Sequence, residues 1–498
     1  MTPIQKHGAI VAAFGLLSSV LAAGAPAAAV DSGSVLTLDQ AISLALEKNQ
    51  DIKVEAYAPP IARANLLTAL GEFDPVFSLG RSYSHSDTPT GISAPVSPTT
   101  LDIDNYSIGL TGVLPTGLNY TVGGQTENER GTFNNFAGDF VSFGGINLTQ
   151  PLLRGFGFAA NLVNIRVARA NRSISEWQYR QTVIGTVTNV IVIYDQLVLA
   201  YKNLQIAQTY RDLGAKLLLQ SQQRLKDGSG AQSDVITAEA TVASREEAIL
   251  EAQNTLRNTD GELRELLGEK WFPQGRSLLT VQASPVPIRT VDPAGDYQEA
   301  LNRRPDYQAA RLGITINRAN SDAARNGLLP QVNLVGSYGY NGLGSTFAAA
   351  RQMVATENFP SSSIGLNISI PITNSQARGK AREARLTLEQ SEASLKNMEA
   401  QIALTITTDA GQIGTTRARV IADQKAYDLA VQALAGEERK LELGTSSTIN
   451  VITDQTNLAT VENSLASARY AESEAVAVYD QDLGMTLARN QITLAEDK

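Results

Sequence analysis

Few side chains in this sequence could perform acid–base or nucleophilic chemistry. The 498 residues include no cysteine and only two histidines, His7 and His85. The lack of cysteine excludes disulfides, thiolate metal sites and a cysteine nucleophile. His85 lies in a segment rich in Ser and Tyr, where an exposed position in a loop or at a strand end is the simpler expectation. No Ser/His/Asp set and no paired-carboxylate motif remains, so an exported hydrolase is disfavoured. We predict no enzymatic activity, no cofactor and no metal.

Charge and composition narrow the class of protein further. The net charge of −9 disfavours general binding to nucleic acids, which requires basic surfaces. Aromatic residues make up only 6% of the chain, whereas Ala, Gln, Asn, Thr and Ser are abundant. A thick globular core needs more large apolar side chains than this. The composition therefore favours thin, elongated helical packing, with the dispersed charges on solvated helix faces.

The N-terminus has the pattern of a cleavable secretory signal peptide, which we place at residues 1–29. Lys6 gives a basic start, Ile10 to Ala23 is apolar, and Ala27 to Ala29 supplies small residues for cleavage. No later run of about 18 apolar residues is apparent, so we predict no membrane-spanning helix. The chain is therefore expected to be exported, and to be periplasmic, secreted, or inserted in an outer membrane as strands.

A long helix is predicted from residue 160 to residue 226, and the rest of the chain is organised around it. The segment has no proline, and its apolar side chains form two rows with a spacing of seven: Trp177, Ile184, Ile191 and Val198, and Val187, Tyr194 and Tyr201. Such rows are typical of helices that pack against other helices. At about 1.5 Å per residue the helix would be on the order of 100 Å long, so it needs equally long partners.

Between residues 76 and 150 the sequence alternates with period two, which predicts strands. Residues 114–117 resemble a turn, and the stretches 86–100 and 127–138 are rich in loop-forming residues. The segment has room for four strands. Residues 106–125 could form an extra hairpin or a long extracellular loop, or could replace other stretches chosen here as strands.

The chain repeats its own plan, which indicates a tandem duplication. A shift of 255 residues aligns Arg63, Ala64 and Asn65 with Arg318, Ala319 and Asn320. A shift of 216 aligns residues 235–237 with 451–453, both Val-Ile-Thr. The predicted parts are a first repeat at 36–268 with a return helix at 233–267, a linker or equatorial segment at 269–293, a second repeat at 294–485 with strands near 331–340 and 364–371, a long helix at 375–442 and a return helix at 449–484, and a C-terminal tail at 486–498.

The strand from Ile364 to Ile370 shows the cleanest alternation, with apolar residues on one side and Gly, Asn and Ser on the other. Such a strand could belong to a soluble sheet, or could face lipid outside and water inside. A membrane barrel needs about eight strands or more, which one copy of this chain does not supply. If the strands lie in a membrane, several chains must therefore share one barrel.

The order of several short motifs resembles the TolC family of outer-membrane efflux proteins. They are Arg-Arg-Pro-Asp at 303–306, Leu-Leu-Pro at 328–330, Leu-Thr-Gln-Pro-Leu-Leu-Arg-Gly at 148–155, and a Leu-x-x-Gly at each helix–helix turn. The resemblance implies an α+β membrane protein of the cell outer membrane. A homotrimer with four strands per chain would form a 12-stranded β-barrel, continuous with a long periplasmic α-helical barrel. It also implies docking with a periplasmic adaptor and an inner-membrane pump of RND, ABC or MFS type.

The resemblance places the functional positions at the two periplasmic helix–helix turns. Candidates for contact with the adaptor are Arg224, Gly228, Lys440 and Gly444. Candidates for a narrow, acidic entrance are Asp234, Asn450, Thr453 and Asp454. Asn450 stands where the first repeat has Asp234, so the acidic ring is expected to be weakened or displaced. Ser233-Asp234 could equally serve as a helix N-cap.

Two further interpretations remain open from the sequence. Aromatic residues near strand ends could form an interfacial girdle, or could be ordinary strand packing: Phe73, Phe77, Tyr83, Tyr106, Tyr120, Phe140 and Tyr338. A periplasmic coiled-coil adaptor or structural protein would explain the long helices and the signal peptide. It would not explain paired strand regions with one lipid-compatible face.

Overall fold

The computed structural model describes residues 35–89, 98–269, 278–287 and 289–494. The expected signal peptide and part of the 269–293 segment lie outside these residues. The described residues form a layer of long helices and one antiparallel sheet. The helices are α1 (Leu38–Lys48), α2 (Gln50–Glu55), α3 (Ala58–Leu70), α4 (Phe158–Asn161), α5 (Val163–Lys226), α6 (Gln232–Leu266), α7 (Pro293–Arg303), α8 (Pro305–Asn326), α9 (Phe347–Ala355), α10 (Ser375–Glu442), α11 (Thr448–Asp482) and α12 (Thr486–Arg489). The strands are β1 (Val76–Pro89), β2 (Pro98–Val113), β3 (Asn119–Gly131), β4 (Asp139–Pro151), β5 (Gln331–Gly344) and β6 (Pro360–Ser369).

Helix α5 has 64 residues, and its two predicted apolar rows lie against neighbouring elements. Ile184, Val187 and Tyr194 are fully buried in a cluster with α1 and with residues near 280. The Tyr194 hydroxyl donates to the carbonyls of Leu36 (2.8 Å) and Gln282 (2.9 Å). The helix is therefore held along its length by packing rather than by intrinsic propensity.

By length and composition alone, α5 is also apolar enough to cross a membrane. The sequence prediction rested on a different criterion, an unbroken run of about 18 apolar residues, and its conclusion that no helix spans the membrane stays a prediction. Half of the apolar window is buried inside the protein, as expected for a core helix. Its apolar character is explained by contacts with α1, α6 and α11.

The long helices pack side by side in the order α10, α11, α5, α6 at the end of the turns. Towards the sheet, the shorter helices α8 and α3 take the places of α11 and α6, so the order there is α10, α8, α5, α3. Each of these four helices is connected along the chain to one strand of the sheet. Helices α3 and α8 lead into β1 and β5, β4 leads through α4 into α5, and β6 leads into α10.

Residues related by the sequence shift of 216 have the same backbone conformation. Gly268 and Gly484 end α6 and α11 at φ values of 77° and 68°. A Cβ at Gly268 would lie 2.4 Å from the Lys48 carbonyl oxygen, and one at Gly484 would lie 2.8 Å from that of Arg303. Only glycine therefore fits where the end of each return helix lies against the end of a short helix, α1 or α7.

An ionic cluster joins the start of α8 and the end of α11 to the middle of α10. The Arg304 guanidinium pairs with Asp306 (2.8 Å) and Asp482 (3.1 Å). Burial, together with the neighbouring Asp482, raises the pKa of Asp409 to about 6. Because its pKa is raised in the folded state, Asp409 binds a proton more tightly there than in the unfolded chain. Its contribution to stability therefore decreases as the pH rises from about 4 through 6 and stays low above that range.

We expect Asp409→Asn to raise the thermal unfolding midpoint at pH 7.5 by a few degrees, with a smaller gain at pH 5. The reason is that Asn retains the shape without the buried charge. Circular dichroism of the purified protein at both pH values measures the effect. Asp428→Asn, on an exposed part of the same helix, is the matched control. An equal gain from both variants, or the same gain at both pH values, would contradict the assignment.

The sheet has the strand order β1-β2-β3-β4-β5-β6, and every neighbouring pair is antiparallel. The first half of the chain contributes four strands and the second half contributes two. The expectation of four strands per chain was therefore wrong: the described residues form six. Residues 106–125, which the sequence left open between a hairpin and a loop, form most of the β2–β3 hairpin.

The predicted loops at 86–100 and 127–138 were too long. Strand β1 continues to Pro89, β2 begins at Pro98 and β3 continues to Gly131. These segments lie at the end of the sheet that is remote from the helices. Residues 86–89, 98–100 and 127–131 have no large apolar side chain on either face, so the apolar half of the alternation is absent there while the ladder of hydrogen bonds continues. Helix α9 between β5 and β6 was also missed. Its Thr346 N-cap accepts a hydrogen bond from the backbone of Ala349.

Candidate functional site: the two-faced sheet and the helical turns

The six strands have two chemically distinct faces. On one, the apolar face, large hydrophobic side chains of neighbouring strands lie opposite each other, as in the pairs Phe77–Leu110, Leu79–Ile108, Val122–Ile146 and Leu334–Leu366. Several of the hydrophobic side chains on this face are not covered by the rest of the chain: Leu79 is 79% exposed and Ile364 is 82% exposed. An uncovered apolar band of this kind needs a lipid or protein environment.

The opposite face, the polar face, carries mainly Ser, Thr, Asn, Gln and Gly. Its members include Ser78, Ser82, Ser107, Thr111, Thr121, Gln125, Asn147, Thr149, Asn333, Ser337, Ser363 and Asn367. The Ser337 and Ser363 hydroxyls form a hydrogen bond of 2.7 Å across β5 and β6. Small polar side chains suit contact with water, so the sheet separates an apolar environment from an aqueous one.

All charged side chains on the polar face of the described strands are acidic. Glu127, Glu129 and Asp139 lie near the end of the sheet that is remote from the helices. On the apolar face, the same end carries a polar cluster. Arg81 pairs with Asp104 (2.9 Å), and the Tyr83 hydroxyl donates to Asp102 (2.8 Å).

His85 belongs to this cluster rather than to a catalytic set. Its Nδ1 lies 2.7 Å from an oxygen of Asp102, and the side chain is half exposed on β1. The prediction of an exposed histidine near a strand end agrees with this position.

The aromatic residues predicted as a possible girdle share the apolar face. Six of the seven lie on strands and point to that side: Phe77, Tyr83, Tyr106, Tyr120, Phe140 and Tyr338. The seventh, Phe73, lies in the 3-10 turn before β1. Helix α9 packs on the same face, where Phe347 contacts the rings of Tyr106 (5.4 Å) and Phe140 (6.5 Å).

The two helix–helix turns have matching geometry. Gly228 and Gly444 adopt φ values of 73° and 75°, in the left-handed region that favours glycine. The Arg224 carbonyl accepts from the backbone N–H of Ser229 (2.9 Å), and the Lys440 carbonyl accepts from that of Thr445 (2.9 Å). These are the hydrogen bonds of a glycine-terminated helix, and they account for the Leu-x-x-Gly spacing.

Both turns lie at the same end of the helical layer. Leu217 of α5 packs in one cluster with Leu441 of α10 and Val451 of α11. The Arg245 side chain of α6 donates to the Tyr210 carbonyl (2.6 Å) and to the Gln455 side chain (3.0 Å) of α11. The two halves of the chain are therefore brought together at this end.

The entrance candidates lie in the first turns of the return helices. Asp234 is the third residue of α6, and the N-cap is Ala231, so the predicted capping role for Ser233-Asp234 was wrong. Asp234 instead places a carboxylate at the positive end of a helix dipole. Asn450 occupies the equivalent position in α11 and donates to the Ser446 hydroxyl (3.2 Å). Thr453 donates its hydroxyl to the Ile449 carbonyl (2.8 Å) and lies exposed beside the half-buried Asp454.

An acidic residue that the sequence analysis missed fastens the second turn. Glu437 pairs with Lys440 (2.8 Å) and accepts from the Ser446 hydroxyl. The hydrogen bond from Lys440, followed by that from Ser446, lowers the pKa of Glu437. The pairing with Glu437 likewise raises the pKa of Lys440. The spacing of three residues between Glu437 and Lys440 on a helix is a signal that could have identified this pair.

A two-faced sheet with open edges, joined to a layer of helices this long, defines a class of bacterial outer-membrane efflux proteins. The comparisons with known proteins agree. The family model described as outer membrane efflux protein matches residues 41–269 and 297–481. The chain therefore belongs to the outer membrane efflux protein family, whose members are transport proteins of the outer membrane and not enzymes.

Individual relatives have low sequence identity to this chain, but each match covers about two thirds of the chain or more. The outer membrane protein TolC of Vibrio cholerae serotype O1 is 23% identical over 327 residues, covering 66% of this chain and 73% of that protein. The proteases secretion protein PrtF of Dickeya chrysanthemi is 22% identical over 351 residues, covering 68% and 74%. The structure of the outer-membrane channel OprN superimposes with a TM-score of 0.68 at 18% identity, covering 90% of this chain and 89% of that one.

Proposed function

We propose that this protein is a passive channel through which cargo leaves the periplasm across the outer membrane. The observation that carries the proposal is the sheet, whose half nearer the helices has one exposed apolar face and one polar face on each of the six strands. Lipid on one side and water on the other is the environment that this pattern requires. The helices then extend the aqueous path into the periplasm.

The channel is proposed to be a homotrimer. Six strands are too few to close a barrel, and β1 and β6 each have an unpaired edge. Lipid does not tolerate unpaired backbone groups, so each β6 must pair with β1 of the next copy. The family resemblance supports three copies. The same symmetry arranges the helices as a tube, with a duplicated pair of hairpins from each chain.

The helical turns are the proposed docking site for a periplasmic adaptor, which connects the channel to an inner-membrane pump of RND, ABC or MFS type. Arg224, Gly228, Lys440 and Gly444 form or flank the two turns, which lie together at the end farthest from the sheet. Relatives named for the outer membrane protein TolC and for protease secretion support efflux or type I secretion as the process.

The membrane location is tested by fractionation. We expect the mature protein to remain with outer membranes after a salt wash and to be released only by detergent, because the apolar band is exposed. Release with the soluble periplasm would favour the alternative of a periplasmic coiled-coil protein and would overturn the channel.

Asp234→Ala is expected to change ion flow through the proposed entrance. Loss of one carboxylate from each of three chains removes local negative charge, so block by divalent cations should weaken severalfold and the single-channel conductance should shift. Planar bilayer recordings of the purified trimer measure both quantities. Asp227→Ala serves as the control. It removes the same charge from the turn between α5 and α6, outside the first turn of α6. Identical recordings for wild type and Asp234→Ala would remove Asp234 from the entrance.

A further inference from the structure

The β2–β3 hairpin has no helices of its own. The other four strands each connect to one of four neighbouring helices, and they appear in the sheet in the same order as those helices: β1 with α3, β4 with α5, β5 with α8 and β6 with α10. The hairpin is inserted between β1 and β4. The hairpin is therefore an addition to an arrangement in which every other strand is connected along the chain to one long helix or to a helix beside it.

The hairpin is paired along its length on both sides. The β1–β2 register runs from Val76–Thr111 to Pro89–Pro98, and the β3–β4 register runs from Asn119–Thr149 to Glu129–Asp139. The pairing extends over the same height as the neighbouring strands. A surface loop folded over the mouth would not be paired in this way.

The hairpin also continues both faces of the sheet. Ile108, Leu110 and Val122 lie on the apolar face at the level of Leu79 and Ile146. Ser107, Thr121 and Gln125 lie on the polar face. A strand pair that only shielded the lumen would have no reason to carry an apolar row at membrane depth.

The turn of the hairpin is fixed to the junction between sheet and helices. The Thr116 carbonyl accepts from the backbone N–H of Gly157 (3.0 Å) and from the Gln150 side chain (3.2 Å). Gly117 has a φ of 90°, and a Cβ there would lie 2.3 Å from the Gly155 carbonyl oxygen. The backbones are therefore in direct contact, and the hairpin is held at the height of its neighbours.

With the hairpin counted, generic packing distances give the sheet and the helical layer similar widths. Four helices packed about 9 Å apart span about 36 Å. Strands about 4.8 Å apart and tilted by about 40° each occupy about 6 Å of a barrel's circumference. Six strands therefore span about 38 Å, whereas four would span about 25 Å.

We infer that the β2–β3 hairpin is part of the barrel wall, and that the channel's outlet is an 18-stranded barrel as wide as its helical tube. This inference rests on the proposed function of a trimeric channel. Barrel diameter grows roughly in proportion to strand number, so the outlet would be about half again as wide as one of twelve strands. Its backbone diameter would be about 36 Å, which admits cargo with the thickness of a polypeptide helix, about 10–12 Å, without contact with the wall.

The test uses single cysteines, since the chain has none of its own. Ser107→Cys and Ile108→Cys are neighbours on β2 with opposite faces, and Asn367→Cys and Leu366→Cys are the matched pair on β6. In native outer membranes we expect a water-soluble maleimide to label Ser107→Cys and Asn367→Cys. Ile108→Cys and Leu366→Cys should be labelled at least tenfold more slowly, and should react with a lipid-soluble maleimide instead.

The cysteine pairs on β2 and β6 distinguish failure of the inferred wall role of the hairpin from failure of the proposed channel. Alternation on β6 without alternation on β2 would overturn the wall role of the hairpin and leave the channel intact. Absence of alternation on β6 would overturn the channel itself. Electron cryomicroscopy of the detergent-purified protein, viewed along the pore, gives the direct count. Six strands of every chain in the wall are expected, and a wall built from four strands per chain would refute the inference.

Discussion

Leu366→Arg is expected to abolish assembly of the channel in the outer membrane. Leu366 lies in the middle of the apolar face of β6, opposite Leu334, and is 55% exposed. An arginine on the lipid face near the membrane midplane costs about 2–4 kcal/mol per chain. Because about 1.4 kcal/mol is a factor of ten, each chain should lose roughly 30- to 1000-fold in insertion equilibrium. The amount of SDS-resistant oligomer in outer membranes, measured by electrophoresis of unboiled samples, should fall by tenfold or more.

Asn367→Arg is the control for this prediction. It introduces the same side chain one residue away, on the polar face. We expect normal assembly and a reduced preference for cations in bilayer recordings, because substitutions facing the lumen change selectivity rather than folding. If Asn367→Arg failed to assemble while Leu366→Arg assembled, the assignment of the two faces would be reversed.

Arg264→Leu is expected to destabilise the helical part by about 3–5 kcal/mol, because it removes the cation of a buried ion pair and leaves the carboxylate in place. The Arg264 guanidinium donates to Asp260 (2.7 Å), and the two residues are 3% and 7% exposed. The other Asp260 oxygen accepts from the backbone N–H of Leu279 (2.7 Å), so this carboxylate also fixes the segment that follows α6. Removal of the cation leaves the carboxylate buried without its main partner.

The double variant with Asp260→Asn tests the cause. Asn retains an acceptor for Leu279 and removes the uncompensated charge, so the double variant should be more stable than Arg264→Leu alone. The thermal unfolding midpoint, followed by circular dichroism at 222 nm, reports the difference. Additive losses from the two substitutions would show that the side chains act independently.

The helical part of the fold is well encoded in local sequence. The heptad rows and the absence of proline predicted the long helices close to their observed ends. The second long helix, α10, spans Ser375–Glu442, and residues 375–442 were predicted. Gly228 and Gly444 marked both turns, because only glycine adopts the required backbone conformation without strain. Periodicity and turn chemistry are local properties, so they are readable without the tertiary structure.

The sheet was harder to predict, because its signal changes with depth. In the middle of the strands the alternation of apolar and polar residues is clear. Near the remote end, residues such as His85 and Asp102 occupy the apolar face, and the pattern resembles a polar loop. Their pairing is set by contacts between strands distant in sequence, which composition does not reveal. Helix α9 was missed for a similar reason, since its Phe347 is positioned by Tyr106 and Phe140 of other strands.

The location of the entrance stays a prediction, which the family resemblance places at the two helix–helix turns. The structure shows that these turns bring both halves of the chain together. The capping prediction for Ser233-Asp234 was wrong because the N-cap is Ala231, two residues before Ser233 and three before Asp234. Helix starts are uncertain by a residue or two whenever no side chain caps the first turn, as at Ala231.

The acidic end of the polar face makes the fixed charge of the proposed pore differ between its two mouths. Glu127, Glu129 and Asp139 lie at the remote mouth, and no basic residue shares that face among the described strands. Fixed charge at one mouth makes ionic current depend on the sign of the applied voltage, so the open channel should rectify. At physiological salt the field extends only about 8 Å from the wall. Small ions near the wall would therefore be sorted by charge, while cargo on the axis of a wide outlet would pass unaffected.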